Sequence, residues 1–225
     1  VTSDLAERLA SVDGAIADAA RDAGRRPAEL TRIVVTKFQP ASLVRELATL
    51  GVSDFGENRH QEAAAKAAEL ADFDLTWHFV GQLQSNKARQ VRRYARVVHS
   101  VDRAALVTAL ASDVGTPLDC FVEVDLSGEP GRGGAPPSDV LGLADRIAAA
   151  PGLRLAGVMA VAPLGAPPRA AFAALRLVSE RVRSAHPEAV AISAGMSGDF
   201  REAILEGATH LRIGTAITGN RPPRD

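Results

Sequence analysis

The sequence predicts an α/β protein folded as a single (β/α)8 TIM barrel with an extra N-terminal helix. Three observations carry this. Short β-branched runs alternate with alanine-rich amphipathic stretches, the pattern of parallel strands joined by crossover helices. Eight such runs have one helical stretch in each gap, which fits a closed barrel better than the alternative, an open doubly wound sheet. The chain of 225 residues holds one sizeable core, and no linker, tandem repeat or low-complexity tract divides it, so residues 1–225 read as a single domain.

The leading helix covers residues 3–24. Leu5, Leu9, Val12, Ile16 and Ala19 recur at spacings of three and four and so share one face. Thr2 or Ser3 can cap it and Gly24 can stop it. The strands that follow are read at 32–38, 52–57, 76–81, 97–101, 119–125, 155–161, 189–193 and 211–215. Helices are read at 41–50, 59–71, 85–95, 103–114, 138–150, 168–185 and 199–206. Residues 128–137, rich in Gly and Pro, read as a mobile loop after the fifth strand.

Composition narrows the function classes. With 26 basic and 27 acidic side chains the net charge is −1, so no overall field drives binding to nucleic acid or an anionic membrane. Aromatics are only 4%, too few for a base-stacking platform. Cys120 is the single cysteine, which rules out an internal disulfide framework. No apolar run has the length of a transmembrane helix. The first residues lack the basic start and apolar centre of a signal peptide, and a cytoplasmic location is expected. Val1 stands where a start methionine would, consistent with trimming or with a non-standard start.

In a barrel the chemistry sits at the carboxyl ends of the strands, and several ends here are unusual. Lys37 ends the first strand in Val35-Thr36-Lys37-Phe38. Inside a strand pattern it should be partly buried, which favours a neutral amine able to attack an aldehyde. The plainer reading is a lysine that snorkels to solvent. Ser193-Ala194-Gly195-Met196-Ser197-Gly198 lies between the seventh strand and a helix, where free N–H groups and hydroxyls suit an anion. Arg212-Ile213-Gly214-Thr215 adds a fixed positive charge beside it. Phosphate often binds after strands seven and eight of such barrels. An aldehyde-reactive lysine and a phosphate cradle together point to pyridoxal 5′-phosphate (PLP), which has both groups.

Four longer motifs carry a resemblance. They are Phe55-Gly56-Glu57-Asn58-Arg59, the run from Trp77 to Lys87, Gly195-Met196-Ser197-Gly198-Asp199, and Arg212-Ile213-Gly214-Thr215-Ala216-Ile217. In this order, over residues 34–219, the chain resembles the YggS/PROSC family of pyridoxal phosphate homeostasis proteins. The resemblance implies a barrel like the alanine racemase N-terminal domain, without the second, β-rich domain of those enzymes. It implies PLP held as an internal aldimine on Lys37, with Arg212 facing the pyridine nitrogen. It further implies phosphate contacts from Ser193, Ser197, Gly214 and Thr215, a ring contact from Asn58, and Met159 lining the pocket.

An arginine stays protonated, so it can only donate to an unprotonated ring nitrogen, which leaves a weak electron sink. The one tyrosine, Tyr94, falls in the helix after the third strand and is not expected to reach the cofactor. The resemblance therefore implies PLP binding, buffering and delivery to apo PLP enzymes by a monomer, with no catalytic residues. A PLP-dependent racemase-like enzyme is the alternative, and an interaction module with structural PLP is a third reading. The chain departs from the family at Gln39, where a second lysine is common, and at Asp125 in place of Asn. It departs again at Arg132-Gly133-Gly134 in place of Lys-Ser-Gly, and at Ala194 in place of Met.

Other residues take plainer readings. His78, between Trp77 and Phe79, reads as a hydrogen-bonded core residue, with an acid–base role as the alternative. No His, Cys or carboxylate shows metal-ligand spacing with it, so no metal is expected. Cys120 reads as a buried small hydrophobe. Lys87, Arg89, Arg92, Arg93 and Arg96 read as a solvated basic face, with a nucleic-acid or protein contact as the alternative. Glu57 reads as paired with Arg59 or another base.

Overall fold

The computed structural model describes residues 2–129, 131 and 133–220. Val1, Arg132 and the side chains of Thr2 and Ser3, on which some expectations rest, lie outside the described residues. Eight parallel strands close on one another in chain order: β1 (Thr31–Val35), β2 (Asp54–Glu57), β3 (Thr76–Phe79), β4 (Val97–Val101), β5 (Leu118–Glu123), β6 (Leu153–Met159), β7 (Ala191–Ser193) and β8 (His210–Ile213). The ladder between β1 and β8 shuts the barrel, which excludes the open sheet. The helices are α1 (Thr2–Asp22), α2 (Ala41–Thr49), α3 (His60–Glu69), α4 (Ala88–Val91), α5 (Ala104–Leu110), α6 (Val140–Ala149), α7 (Pro168–Ala185), α8 (Phe200–Leu205) and α9 (Thr215–Thr218). No helix among the described residues is long and apolar enough to cross a membrane.

The extra helix α1 buries the expected face, Leu5, Leu9, Val12, Ile16 and Ala19, against α8 and α9. It stops where Gly24 turns left-handed at φ 67°. There Arg25 N–H bonds the Ala20 carbonyl and Gly24 N–H the Arg21 carbonyl, the paired bonds of a Schellman ending.

Strand parity divides two cores. Phe55, Trp77, Phe79, Val98, Cys120, Val122, Ile192, Leu211 and Ile213 join the main cluster between sheet and helices. Their neighbours in sequence point the other way, into the barrel. Inside lie Val97, Phe121 and Met159 as a small apolar cluster, together with an unusual set of polar side chains from Asp54, His78, His99, Ser193, His210 and Arg212.

Several expected boundaries shift. The first strand ends at Val35, not at Phe38. Thr36–Gln39 form a tight turn, closed by Gln39 N–H on the Thr36 carbonyl, before Pro40 leads into α2. A short α9, absent from the expectations, follows β8. The loop after β5 is pinned on its return side. Ala135 is buried and bridges Val124, and Asp125 and Ala135 exchange backbone bonds with that strand end.

One close approach tests the closure. Gly157 on β6 has no room for a Cβ, which would stand 1.8 Å from the Ala191 carbonyl oxygen on β7. Backbone cannot yield cheaply, so Gly157→Ala should lose about 4 kcal/mol or more, measured by urea denaturation.

Candidate cofactor site at the carboxyl ends of the strands

The site is built from the loops after β1, β2, β7 and β8 and from the inward residues that end the strands. Lys37 sits in the turn after β1 and is exposed. This corrects the expectation that it lies within the strand, partly buried. The chain must leave the barrel here to reach α2, and the turn lifts the amine clear of the wall. The amine has no hydrogen-bond or ion-pair partner among the described residues.

The turn that carries Lys37 is held from behind. Phe38 follows in the left-handed region at φ 67°, a conformation costing on the order of 1–3 kcal/mol in a bulky residue. Its N–H donates to Glu62 Oε2 at 3.0 Å, and the Arg59 guanidinium lies 4.9 Å over its ring. Beneath, Lys66 Nζ donates to the Thr36 carbonyl at 2.8 Å and to Glu57 Oε1 at 2.5 Å. Thr36 Oγ1 also donates to Glu57 Oε1, at 2.7 Å. Glu57 therefore pairs with Lys66, not with Arg59, which pairs with Glu62. Burial still pushes the Glu57 carboxyl above its ordinary value, against the pull of Lys66.

Across the barrel Arg212 is 5% exposed. Its Nη1 donates to Ser193 Oγ at 2.6 Å and its Nη2 to the Ala160 carbonyl at 2.9 Å. Burial lowers it to about 10, with Glu123 and Asp199 acting the other way, so at neutral pH it remains a cation with only N–H to offer. Ser193, fully buried, thus faces inward and accepts from Arg212. Met159 is 2% exposed and packs on Val97 and Phe121 inside the barrel.

The remaining residues stand at the rim. Gly195 N-terminal to α8 and Ser197 lie in the β7–α8 loop, which Asp199 Oδ1 closes by accepting from Met196 N–H at 2.6 Å. Ser197 Oγ accepts from Ala216 N–H at 3.3 Å, which draws this loop against Gly214 and Thr215. The N–H groups of Ser197 and Gly198 meet no acceptor among the described residues. Asn58 is half-buried, and its Oδ1 is buried without a partner. Its backbone occupies the place a Cβ on Gly81 would take, 2.2 Å from the Asn58 carbonyl oxygen. Free backbone donors, a buried guanidinium, an unspent amide oxygen and a free amine together fit a ligand with phosphate, ring nitrogen and aldehyde.

Two further residues escaped the reading of the sequence. His99 lies inside the barrel, bonded to His78 and Ser193. Glu123 ends β5 with Oε2 buried and unpartnered. The sequence pattern runs the fifth strand on to 125 and so gives no signal that a carboxylate closes it at 123. Burial pushes the Glu123 carboxyl up to about 7, Asp102 adds to this, and Arg212 opposes it. His78, 3% exposed, is a hydrogen-bonded core residue, and Cys120 is fully buried. Tyr94 packs with the outer core and stacks on His60. Among the described residues no group of three or more His, Cys, Asp or Glu could hold a metal ion.

A cavity of about 660 Å³ lies away from the site and is lined in part by Arg89, Arg92, Arg93, Tyr94 and Arg96. Arg92 there is a strut, donating to the carbonyls of Leu110 and Gly152.

The buried carboxyl gives a pH signature. Glu123 holds its proton up to about 7 when folded, against 4.5 when unfolded. Within that window the folded state binds more protons, so stability falls as the pH rises through it. Glu123→Gln should remove this slope in cofactor-free protein and leave it more stable at about pH 8 by on the order of 2–3 kcal/mol, read from denaturant melts across pH.

Known proteins resemble this chain in sequence and in fold. Residues 34–222 match the family of the alanine racemase N-terminal domain. The chain is 42% identical over 222 residues to the pyridoxal phosphate homeostasis protein of Pseudomonas aeruginosa, covering 97% of this chain and 96% of that one. PipY of Synechococcus elongatus, solved with PLP bound, is 36% identical with a TM-score of 0.84, covering 96% of this chain and 100% of PipY. Alanine racemase of Corynebacterium glutamicum shares the fold alone, at 17% identity and a TM-score of 0.71, over 96% of this chain and 60% of the racemase. A parallel barrel with these residues at its carboxyl rim, matched end to end by such relatives, belongs to the family of the pyridoxal phosphate homeostasis proteins, built on the alanine racemase N-terminal domain.

Proposed function

We propose that this protein binds PLP reversibly and serves intracellular vitamin B6 homeostasis, a reading supported by relatives named pyridoxal phosphate homeostasis proteins. The observation that carries the reading is Arg212. A guanidinium sealed in the barrel, held by Ser193 and Ala160 at the end where the β7–α8 loop presents unspent N–H groups, is a preformed contact for a phosphorylated heteroaromatic ring.

The roles follow from position. PLP supplies an electrophilic aldehyde and an electron-withdrawing ring. The Lys37 amine, exposed and without a partner among the described residues, would hold the cofactor through its aldehyde carbon, the carbonyl oxygen leaving as water. Arg212 donates to the ring nitrogen, and being permanently protonated it leaves that nitrogen without a proton. The N–H groups of Ser197 and Gly198, the Ser197 hydroxyl and the Gly214–Thr215 backbone take the phosphate. Ser193 holds Arg212, and Met159 forms the floor beneath it. Asn58 Oδ1 turns to the ring side. The exposed amine also suits release, since it bonds no described residue.

A second reading, a racemase-like enzyme, has one observation in its favour. Glu123 ends β5, across the barrel from the Lys37 turn after β1, and burial lifts its carboxyl to about 7, in the range useful for proton transfer. The binding reading stands ahead of it because that carboxyl is enclosed and no tyrosine base reaches the rim.

Purified protein with PLP should show a visible absorbance band, and borohydride should fix the cofactor to the peptide containing Lys37. Lys37→Ala should abolish both, and a retained, reducible band would overturn the lysine assignment. Arg212→Gln should keep the band and weaken binding by roughly 10–100-fold, the worth of a hydrogen bond to a charged group. Exchange of an amino acid α-proton into deuterated water, lost in both Lys37→Ala and Glu123→Gln, would establish the second reading instead.

A further inference from the structure

Asp54, His78, His99, Ser193 and Arg212 form one unbroken line of hydrogen bonds inside the barrel. Asp54 Oδ1 lies 3.0 Å from His78 Nε2, and His78 Nδ1 3.0 Å from His99 Nε2. His99 Nδ1 is 2.9 Å from Ser193 Oγ, which Arg212 Nη1 reaches at 2.6 Å. The line starts at the amino end of the barrel, where Asp54 opens β2 and lines a cavity of about 360 Å³ with Asp13, Thr31, Arg32 and Ser53. It finishes at the guanidinium of the cofactor site.

The chemistry of each group sets the direction of every bond. Burial is the largest influence on Asp54 and pushes its carboxyl up, but the bonds from His78 and Ser53 outweigh it and hold the group below its ordinary value. Asp54 is therefore an acceptor only, and His78 must carry its proton on Nε2. Burial holds His99 well below its ordinary value, with His78, Arg212 and His210 adding to this, so His99 is neutral and has one N–H. A proton on both nitrogens of His78 would reverse the bonds along the line and leave the Ser193 hydrogen without an acceptor among the described residues. The arrangement that satisfies every atom has His99 Nε2–H donating to His78 Nδ1 and Ser193 O–H donating to His99 Nδ1. Ser193 Oγ then presents its remaining lone pairs to Arg212. Phe121, stacked on His99 with ring centres 4.5 Å apart, keeps that imidazole in plane. His210 is drawn off the line by its bond to Thr209 Oγ1.

We propose that His99 and His78 are positioning residues for the cofactor contact: anchored by Asp54 at the far end of the barrel, they lock the tautomers that orient the Ser193 hydroxyl and thereby fix Arg212 for the ring nitrogen. The proposal rests on the assignment of Arg212 to that nitrogen. The relay itself is a property of the cofactor-free protein.

The test separates the two. In cofactor-free protein, side-chain 15N–1H correlation spectra should show both His78 and His99 as Nε2–H tautomers with unprotonated Nδ1. Asp54→Leu, which touches nothing in the cofactor site, should scramble those tautomers, shift the absorbance maximum of bound PLP and loosen PLP by roughly tenfold, the scale of one hydrogen bond to a charged group. Asp54→Asn keeps an acceptor for His78 and should restore the tautomers and most of the affinity. An Nδ1–H tautomer at either histidine in the unaltered protein, or an Asp54→Leu protein with unchanged affinity and spectrum, overturns the relay. If the tautomers are as stated but Arg212→Gln binds PLP unchanged, the ring-nitrogen assignment fails and the proposal, which acts through it, falls with it.

Discussion

A guanidinium cannot shed its charge, so enclosing Arg212 within the barrel obliges the fold to surround it with acceptors. Taking an ion out of water costs several kcal/mol even after the protein relaxes. Here the cost is offset by Ser193 Oγ and the Ala160 carbonyl and by the fields of Glu123 and Asp199. Each of these brings requirements of its own. Ser193 needs an acceptor for its hydrogen, which His99 provides. The Ala160 carbonyl is available because β6 has just ended at Met159. The polar interior of the barrel, unusual beside its apolar outer shell, follows from one residue on β8.

The other half of the site obeys a different constraint. Lys37 stays in water, and the structure spends its interactions on the residues around it. Lys66 and Glu57 form a buried pair below the turn, Glu62 takes the Phe38 N–H, and Arg59 covers the Phe38 ring. Removing one partner of such a pair leaves an uncompensated charge, so the pair enforces a turn geometry that Phe38 would not adopt by preference. A rigid cationic wall and an accessible amine on a braced turn give a site that is preformed on one side and open on the other. That division suits a protein that holds an aldehyde and lets it go.

Much of this was readable along the chain. The eight β-branched runs and the helices between them rest on local periodicity, and all eight strands occur. The fourth strand and the sixth crossover helix, residues 97–101 and 168–185, were placed to the residue, the helix because Phe172, Leu175, Val178 and Val182 form one apolar face behind Pro167-Pro168. The error at Lys37 has a specific source. Val34-Val35-Thr36 has strand character, and nothing local tells that the chain turns at Thr36, since the residue that takes the left-handed conformation is a phenylalanine rather than a glycine. Glu123 went unremarked because the pattern of the fifth strand runs through to 125, whereas β5 ends at Glu123. Its burial shows only once the barrel has closed, where the charges of Asp102 and Arg212 act on it.

From the amino-acid order alone came the barrel, and with it the candidates Lys37, Arg212 and the glycine-rich rim, each a matter of short-range pattern or composition. Tertiary structure alone decided which face of each strand turns inward, because that parity depends on closing β8 against β1 in one register. It also joined His99 to Ser193, 94 positions apart, and laid three imidazoles across the interior on the side of the buried Arg212 guanidinium. Hydrogen bonds between strands that are remote along the chain exist only once the barrel has closed, and so no window of neighbouring residues contains them.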